Sequence, residues 1–452
     1  MDWVHCIRGV ARADGGNLGG GETDSVAPDR GTYRKDQPIA VVVQTSHLLA
    51  GVRVVSLEQF IAAPYCTQIL ADAGAEVIKI ERPGSGDPRR SYEPMVDLGH
   101  EQVSSGFAAY NRGKLSATYD LAVLADRESL RELIATADVV VSNLRPGALV
   151  RGGLDPRLLR DRSPSLIVCE ISGFGGSGGP SAQWPAFDSV IQAMSGLSGL
   201  IGSSPDTPPQ LAPMSTMDIL AGTWAALGIG LALAQRATTG EGCLIDASMF
   251  DIGAAFLERP LTLFEFTGTV QTRGADRFSP VGIFRAADGR WVSIVIPTND
   301  MWARCCTAIA RPELVDDIRL DTVLKRAERM QDLIIPALEA WAQREGLSAA
   351  EAAERMRESG QPVGVVQSID EVRHSEQLAH RQLFSSLRYR DGDAVIDSDY
   401  RLSRMPLMFD GTVAEPGPVP ALGEHSERAR EMGRAGRAER NTLPRQGRRT
   451  AK

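Results

Sequence analysis

The 452-residue sequence predicts an α/β protein with two domains, a larger one built on a parallel sheet and a smaller α+β one. Apolar strand-like runs alternate with helical patterns over residues 52–171, and such alternation implies a parallel sheet covered on both faces. The pattern changes after residue 273, where two alternating runs flank Asp288 and Gly289, a hairpin signal. These observations favour a Rossmann-like large domain followed by a smaller domain of different architecture.

The first predicted unit is β-α-β. Residues 52–57 form a strand, and residues 64–73 form a helix that has Pro64 in its first turn and ends at Gly74. The next strand spans residues 75–81. The elements predicted after it are a helix at 128–137, strands at 138–141 and 165–171, a long helix from about 216 to 235, a strand at 243–247 and a mostly helical segment at 249–266.

The smaller domain has its own pattern. Strands at 279–284 and 290–296 precede amphipathic helices at 301–309, 324–344 and 348–358. The predicted boundaries are a poorly ordered extension at 1–48, a large domain at 49–250, a linker helix at 251–272, a small domain at 273–362, a return segment at 363–427 that completes the large domain, and a basic disordered tail at 428–452.

Composition excludes several classes of function. The net charge of −8 gives no reason to expect a nucleic-acid partner. The six cysteines lack metal-ligand spacing, so buried free thiols and no metal site are expected. No apolar stretch reaches spanning length without polar residues or several glycines, which predicts no membrane span. The N-terminal residues carry acids and lack the apolar core of a signal peptide, so a cytoplasmic location is expected.

Asp218 is the residue most open to a chemical role. It falls in the first turn of the long apolar helix, with Ser215 or Thr216 placed to act as the N-cap. Free backbone N–H groups and the helix dipole stabilise a carboxylate at that position. An aspartate at a helix start is also common for structural reasons, so the residue by itself does not decide between the two interpretations.

The segment from Gly173 to Gly178 formally matches the dinucleotide-binding pattern G-x-G-x-x-G and follows a strand. Gly179 and Pro180 come next, so no helix opens on the last glycine. No acidic residue lies between positions 189 and 205 to bind a ribose. The sequence therefore predicts a loop here rather than a dinucleotide site.

A series of motifs in a fixed order is far more specific. It consists of Ala63-Pro64-Tyr65-Cys66, ADAGAEVIKIERPGSGD at 71–87, NRGK at 111–114, ADVVV and NLRPG between 137 and 147, Gly173-Phe174-Gly175, Phe187-Asp188, Met217-Asp218 and FRAADG at 284–289. These motifs closely resemble the class III CoA-transferases of CaiB/BaiF type, which include carnitine and formyl-CoA transferases. The resemblance extends from about residue 49 to residue 425.

The resemblance implies that the chain folds as a ring and that two rings interlock as a homodimer. It places the family's nucleophile on Asp218, whose carboxylate attacks an acyl-CoA thioester to give an anhydride and then an aspartyl-CoA thioester. CoA then passes to an acceptor carboxylic acid. A carboxylate nucleophile needs a desolvated site that stabilises oxyanions. CoA enters as a substrate, and no tightly bound cofactor is expected.

Site residues also follow from the resemblance. Arg82 and Arg151 match the nucleotide-contacting arginines, and a guanidinium suits phosphate. Asp188 matches a second acidic position that could orient groups or raise the pKa of Asp218; a cap for the helix that follows it is the alternative. The other positions carried over as CoA-binding are Ala62, Lys114, Tyr119, Asp120 and Asn143.

Two departures narrow the expected reaction. The formyl-CoA branch closes its site with a run of glycines, but residues 273–280 contain a single glycine, so a dicarboxylic, hydroxy or branched acid is favoured over formate. The α-methylacyl-CoA racemases share the fold and need a histidine base directly before the Asp188 position, where Phe187 stands. A non-catalytic acyl-CoA binder is the third alternative, and it would not need the carboxylate at position 218.

Overall fold

A computed structural model describes residues 48–98, 102–274 and 279–442 of the chain. The predicted extension at 1–48 falls almost wholly outside these residues. The strands of the first half are β1 Arg53–Leu57, β2 Glu76–Glu81, β3 Met95–Asp97, β4 Gln102–Ser104, β5 Leu115–Thr118, β6 Val139–Ser142, β7 Ile167–Ser172 and β8 Leu244–Ser248.

Six of these strands form one parallel sheet in the order β5-β2-β1-β6-β7-β8. The chain builds outward from β1 through β2 to β5 and then continues from β6 on the other side of β1. At such a switch in strand order the connections diverge and leave a crevice at the carboxyl ends of the strands. The predicted α/β class with a Rossmann-like sheet is confirmed, and β3 and β4 form a separate antiparallel hairpin.

Helices cover both faces of the sheet. They are α1 Ala62–Asp72, α2 Ser105–Asn111, α3 Leu124–Ile134, α4 Ala148–Arg151, α5 Pro156–Arg162, α6 Asp188–Met194, α7 Leu197–Leu200 and α8 Thr216–Thr239. Val139 and Val141 pack into one apolar core together with α1 and α8, whereas Val140 packs into a second core on the opposite face with α3. Because both faces are buried, the strands are continuous apolar runs, which is why they could be recognised in the sequence.

Helix α8 lies unusually close to α1, and Gly222 makes this possible. A Cβ atom at position 222 would lie 2.6 Å from the carbonyl oxygen of Ala62 and 3.1 Å from the backbone nitrogen of Cys66. Both obstacles are backbone atoms of a neighbouring helix, so neither can turn aside as a flexible side chain would. The position of α8, and of Asp218 at its start, therefore depends on a residue without a side chain.

Gly222→Ala is expected to destabilise the protein by about 1–3 kcal/mol, because the added methyl group forces α1 and α8 apart. The matched control is Gly230→Ala on the same helix, where an added Cβ meets no atom within 4 Å. That change should be neutral or stabilising by about 0.5–1 kcal/mol, since alanine favours helix. Urea unfolding of both variants measures the difference, and equal midpoints would show that the close approach is not required.

Helix α8 is also long and apolar enough to cross a membrane by length and composition, with an 18-residue window of mean hydropathy 1.6. The sequence prediction of no membrane span depends on the glycines that interrupt this stretch, and α8 contains Gly222, Gly228 and Gly230. One face of the helix packs against α1, β7 and β8, and its residues Ala221, Ala225 and Ile229 belong to the apolar core. We therefore interpret it as a core helix of the large domain.

The second half contains a distinct apolar core around a small antiparallel sheet. Its elements and the two helices before it are α9 Met249–Phe256, α10 Glu258–Thr267, β9 Val281–Arg285, β10 Trp291–Val295, α11 Asn299–Ala308, α12 Val323–Glu328, α13 Ile335–Arg344, α14 Ala349–Glu358 and β11 Val363–Val365. The predicted hairpin is present as β9 and β10. Strand β11 pairs with β10, so the small domain extends past the predicted boundary at residue 362.

The remaining chain returns to the large domain through α15 Ile369–Arg373, α16 Glu376–His380, β12 Phe384–Asp391, β13 Ala394–Ser403, β14 Met408–Phe409, β15 Thr412–Val413 and α17 Ser426–Thr442. Helix α17 corrects the prediction of a disordered tail from residue 428, because it packs on α3 and buries Ala429 in the core. Arginines of this helix pair with acids elsewhere, Arg428 with Glu76 and Arg437 with Glu132. Residues 443–452 lie outside the described chain.

Candidate active site

The crevice at the carboxyl edge of the sheet is built by the loops that follow β1 and β6. Asn143, the first residue after β6, bonds to the backbone of Gln59 in the loop after β1. Its Oδ1 accepts from the Gln59 N–H at 2.9 Å, and its Nδ2 donates to the Gln59 carbonyl at 2.7 Å. Asn143 therefore ties the two loops together, and α1 begins directly after this joint at Ala62.

Asp218 lies in the first turn of α8, as predicted, but the cap of this helix comes from elsewhere. Ser215 occupies the N-cap position and makes no side-chain capping bond. Instead, Oδ1 of Asp188 accepts from the N–H of Met217 at 2.6 Å and from that of Asp218 at 3.3 Å. Asp188 thus caps the helix that carries Asp218 from a position 30 residues earlier in the chain.

Gln192, one turn after Asp188 on α6, holds this arrangement in place. Its Nε2 donates to Oδ2 of Asp188 at 2.6 Å, and its Oε1 accepts from the N–H of Ala212 at 2.9 Å. Gln192 is buried, so these bonds are shielded from solvent. These bonds fix α6 against the segment that leads into α8, and they hold Asp188 beside the first turn of α8, which carries Asp218.

The electrostatics of the site set Asp218 apart from an ordinary surface aspartate. Burial raises the pKa of Asp218, and the negative charge of Asp188 raises it further, whereas Arg89 opposes the rise. The resulting pKa is about 7, against an ordinary value of 3.8. A half-buried carboxylate with a pKa near 7 is less solvated and more basic than one in water. Both properties make a carboxylate more reactive as a nucleophile.

Arg89 and Tyr110 were missed by the sequence analysis. Arg89 follows β2 in a short turn, and Tyr110 is near the end of α2. Each of them interacts electrostatically with Asp218, and they also interact with each other. The guanidinium of Arg89 lies 5.4 Å from the centre of the Tyr110 ring. Arg89 lies two residues after the motif at 71–87 and Tyr110 directly precedes the motif at 111–114, but no local pattern indicates that their side chains approach Asp218.

The structure argues against the predicted role of Lys114 in binding CoA. The side chain is fully buried, and its ammonium donates to Oε1 of Glu58 at 2.8 Å, to the Pro64 carbonyl at 2.9 Å and to Oδ1 of Asn111 at 3.0 Å. All three protons are used within the protein, so Lys114 has neither the exposure nor a free donor for a CoA phosphate. Burial lowers the pKa of Lys114 to about 8 although Glu58 opposes this, so it is largely cationic at neutral pH.

Lys114 belongs to a buried ion cluster beneath the crevice, which also contains Glu58, Lys79 and Asp87. Lys79 lies 2.8 Å from Asp87 and 3.5 Å from Glu58. Burial raises the pKa of Glu58, but Lys114 and Lys79 outweigh it and hold the net pKa below its ordinary value. Because Glu58 begins the loop after β1 and Asp87 ends the loop after β2, the cluster anchors both loops at the site.

The other CoA-binding predictions fall into two groups. Arg82 and Arg151 are exposed, Arg82 directly after β2 and Arg151 at the end of α4, so both are available to a phosphate. Tyr119 is buried, with the guanidinium of Arg430 from α17 lying 4.9 Å from its ring centre, so its ring is covered by the protein itself. Asp120 is half-buried, and its Oδ1 accepts from the N–H of Ala122 at 2.9 Å. It follows β5 closely and so lies at the carboxyl edge of the sheet.

The glycine-rich loop after β7 binds a group of the protein itself. Both carboxylate oxygens of Asp246 accept from the N–H of Gly176, at 2.9 and 3.1 Å, and one accepts from the N–H of Ser177 at 2.8 Å. Gly175 has a positive φ of 85°, which turns these N–H groups toward Asp246. The donors that would hold a phosphate in a dinucleotide site are therefore occupied, in agreement with the sequence interpretation.

Comparisons with known proteins identify the family to which the chain is related. The model of CoA-transferase family III matches residues 49–426. The chain is 32% identical to the succinyl-CoA–D-citramalate CoA-transferase of Chloroflexus aurantiacus over 84% of this chain and 92% of that protein. It is also 32% identical to the succinate–glutarate CoA-transferase of Agrobacterium fabrum, over 83% of this chain and 93% of that protein.

A solved structure of a CaiB/BaiF family protein from Brucella suis superposes with a TM-score of 0.73 at 30% identity, and the match covers 86% of this chain and 99% of that chain. The family model, which matches residues 49–426, extends over the large domain, the small domain and the return segment alike, and the enzyme class that the motifs predict is confirmed. The chain belongs to CoA-transferase family III.

Proposed function

We propose that the protein transfers CoA from an acyl-CoA donor to a carboxylic acid through covalent intermediates on Asp218. The Asp218 carboxylate attacks the thioester carbonyl, the C–S bond breaks, and CoA leaves as a thiolate from an acyl-aspartyl anhydride. The thiolate attacks the Asp218 carbonyl of the anhydride, which releases the donor acid and forms an aspartyl-CoA thioester. The acceptor carboxylate then repeats the sequence in reverse and leaves as its CoA ester, which restores the Asp218 carboxylate.

The observation that carries this proposal is the setting of Asp218. Its carboxylate lies at the start of α8 beside Asp188, with a pKa of about 7. Phe187, directly before Asp188, contacts Phe60 in the loop after β1, with ring centres 5.5 Å apart. Exposed Arg82 and Arg151 are suited to bind the phosphates of CoA. Asp120 and Asn143 follow β5 and β6 at the same edge of the sheet, whereas Ala62 is 3% exposed and its carbonyl packs against Gly222. CoA is a substrate in this scheme.

We also propose that the protein works as a cytoplasmic homodimer. Helices α8 and α10 expose large apolar side chains, among them Trp224, Leu231, Phe264 and Phe266, the last of which is 84% exposed. Large apolar side chains exposed on helices are typical of subunit interfaces. Light scattering after gel filtration measures the mass; a monomer of 48.6 kDa at micromolar concentration would contradict the proposal.

The test of the reaction is a peptide mass spectrum of the protein after brief incubation with succinyl-CoA, acetyl-CoA or a branched acyl-CoA. Hydroxylamine or borohydride traps the aspartyl anhydride or the aspartyl-CoA thioester, and Asp218→Asn is run in parallel. A CoA or trapped adduct on the peptide that contains Asp218, absent from the variant, supports the proposed intermediates. Transfer that proceeds equally in the variant contradicts them, and solvent deuterium at the acyl α-carbon without transfer would indicate an isomerase instead.

The reaction should also depend on pH through Asp218. Because its carboxylate form is the nucleophile and its pKa is about 7, kcat/KM is expected to rise with pH through about 7 and then level off. The charged and titratable groups that face it are Asp188, Arg89 and Tyr110. Asp188→Asn removes the negative charge that raises the pKa, so the midpoint of its pH–rate profile should move to lower pH. An unchanged midpoint would show that Asp188 acts through the helix cap alone.

A further inference from the structure

Arg89 is held rigidly beside the proposed nucleophile. Its backbone N–H donates to Oδ1 of Asp87 at 3.0 Å, and its side-chain Nε donates to the carbonyl of Gly106 at 2.9 Å. The guanidinium contacts two aromatic rings and lies 5.3 Å from the centre of Tyr92 and 5.4 Å from that of Tyr110. Two cation–π contacts and one hydrogen bond restrict the rotamers of this long side chain, so little entropy is lost when it binds a further group.

The outer end of the guanidinium is uncommitted. In the chain from 48 to 98, 102 to 274 and 279 to 442, neither terminal nitrogen of Arg89 has a hydrogen-bond acceptor or an acidic partner. Its neighbour Arg90 differs, because both its Nε and Nη2 bond to Glu81, at 2.8 and 2.7 Å. Arg112 is likewise committed, to the Ser403 carbonyl at 2.7 Å. A fixed guanidinium whose two terminal nitrogens can each donate a hydrogen bond is suited to bind a carboxylate bidentately.

Arg89 also stands at the right place relative to Asp218. The Tyr110 ring beside the guanidinium meets the Tyr65 ring edge-on, with centres 6.2 Å apart, and the Tyr65 ring lies 3.1 Å from where a Cβ atom of Gly222 would be, one turn after Asp218 on α8. Arg89 therefore lies on the side of the site where α8 begins, and its positive charge lowers the pKa of Asp218. Within the described residues the two side chains form no ion pair, so Asp218 does not occupy the terminal nitrogens of Arg89. Gly106 helps to create this arrangement, because a Cβ atom there would lie 2.5 Å from Nη2 of Arg89.

We propose that Arg89 binds the second carboxylate of a dicarboxylic acid substrate, the one that does not react, and so selects dicarboxylic over monocarboxylic acids. This inference rests on the proposed CoA transfer at Asp218. One carboxylate of the acid, or of its CoA ester, reacts at Asp218, while the other forms two parallel hydrogen bonds with the free corner of the guanidinium. Arg89 acts here as a specificity determinant and takes no part in bond making.

The experiment compares acids of equal chain length as acceptors, succinate against butanoate and glutarate against pentanoate, with acetyl-CoA as donor. The wild-type protein should favour the dicarboxylate of each pair. Arg89→Met is expected to lower the ratio of kcat/KM, dicarboxylate over monocarboxylate, about 100-fold, as truncation of one partner of a desolvated charge pair does. Arg89→Lys should fall between the two, because an ammonium cannot bind a carboxylate bidentately.

Two further variants separate specificity from general damage. Gly106→Ala should shift the ratio in the same direction as Arg89→Met, because its methyl group displaces Nη2 while the guanidinium itself is retained. Arg357→Met, on the exposed last turn of α14, removes an arginine far along the chain and should leave the ratio as in the wild type.

The outcomes distinguish the two proposals. A wild-type protein that favours monocarboxylates, an Arg89→Met ratio equal to that of the wild type, or an equal fall for both acids of each pair would overturn the role of Arg89 while leaving CoA transfer in place. Transfer to none of the acids, together with an unmodified Asp218 peptide, would overturn the proposed function. In that case calorimetry with succinate still tests Arg89, and binding that is equal in wild type and Arg89→Met, or absent from both, refutes its role.

Discussion

Asp218→Asn is expected to lower the rate of CoA transfer by at least about 10⁴-fold while the protein stays folded, because the substitution removes the nucleophile itself. Asparagine has nearly the same shape as aspartate and keeps the contact between the backbone N–H at position 218 and Asp188, so α8 retains its cap. The measurement is the initial rate of transfer from a donor that the wild-type protein accepts, at pH 8, where Asp218 of the wild type is ionised.

The stability of the same variant provides the control. The folded state raises the pKa of Asp218 from 3.8 to about 7, so it binds the proton more tightly than the unfolded chain does. Stability therefore falls as pH rises from about 4 to about 7, and the loss persists above that window. Asparagine cannot ionise, so the variant should be at least as stable as the wild type at pH 8. Loss of activity together with a lower Tm would instead indicate that the fold was damaged.

Lys114→Met is expected to destabilise the protein by about 3–5 kcal/mol, the second large effect. Methionine fills much the same volume but leaves Glu58 buried with only Lys79, 3.5 Å away, as a cationic partner. Removing one partner of a buried ion cluster exposes the full desolvation cost of the other. The free energy of unfolding in urea measures the effect, at pH 7, where the lysine of the wild type is protonated.

The matched variant is Arg82→Met. Arg82 is exposed, so its loss should leave the free energy of unfolding within about 0.5 kcal/mol while raising the KM for the CoA donor. The two variants thus separate a residue that supports the fold around the site from one that we propose binds CoA. The reverse pattern, normal stability with a raised KM in Lys114→Met, would restore the original prediction that Lys114 contacts CoA.

The parallel sheet and the position of Asp218 at a helix start are both predictable from the sequence, because both depend on local patterns. Strands buried on two faces are continuous apolar runs, and the run from Glu76 to Glu81 is confirmed as β2. Asp218 was recognised because it stands at the start of a long apolar helix and inside a motif. In both cases the signal lies within a few residues of the element itself.

Other parts of the site depend on contacts between distant residues. Ser215 occupies the local N-cap position, but Asp188 caps α8 from another helix. The basic segment that begins at residue 428 resembles a solvated tail, yet α17 finds acidic partners such as Glu76 and Glu132 elsewhere in the fold. The sequence shows the charge of each group but not which group of opposite charge folds against it.

The sequence by itself determined the family, the parallel sheet, the hairpin of the small domain and the position of Asp218 at a helix start, because each is encoded by short-range periodicity or by a motif. Only the tertiary structure decided that Lys114 belongs to a buried ion cluster, that Asp188 caps the helix that carries Asp218, and that no described residue accepts a hydrogen bond from the terminal nitrogens of Arg89. The physical reason is that pKa values, burial and hydrogen-bond partners are properties of the space around a group, and in this protein that space is assembled from segments far apart in the chain.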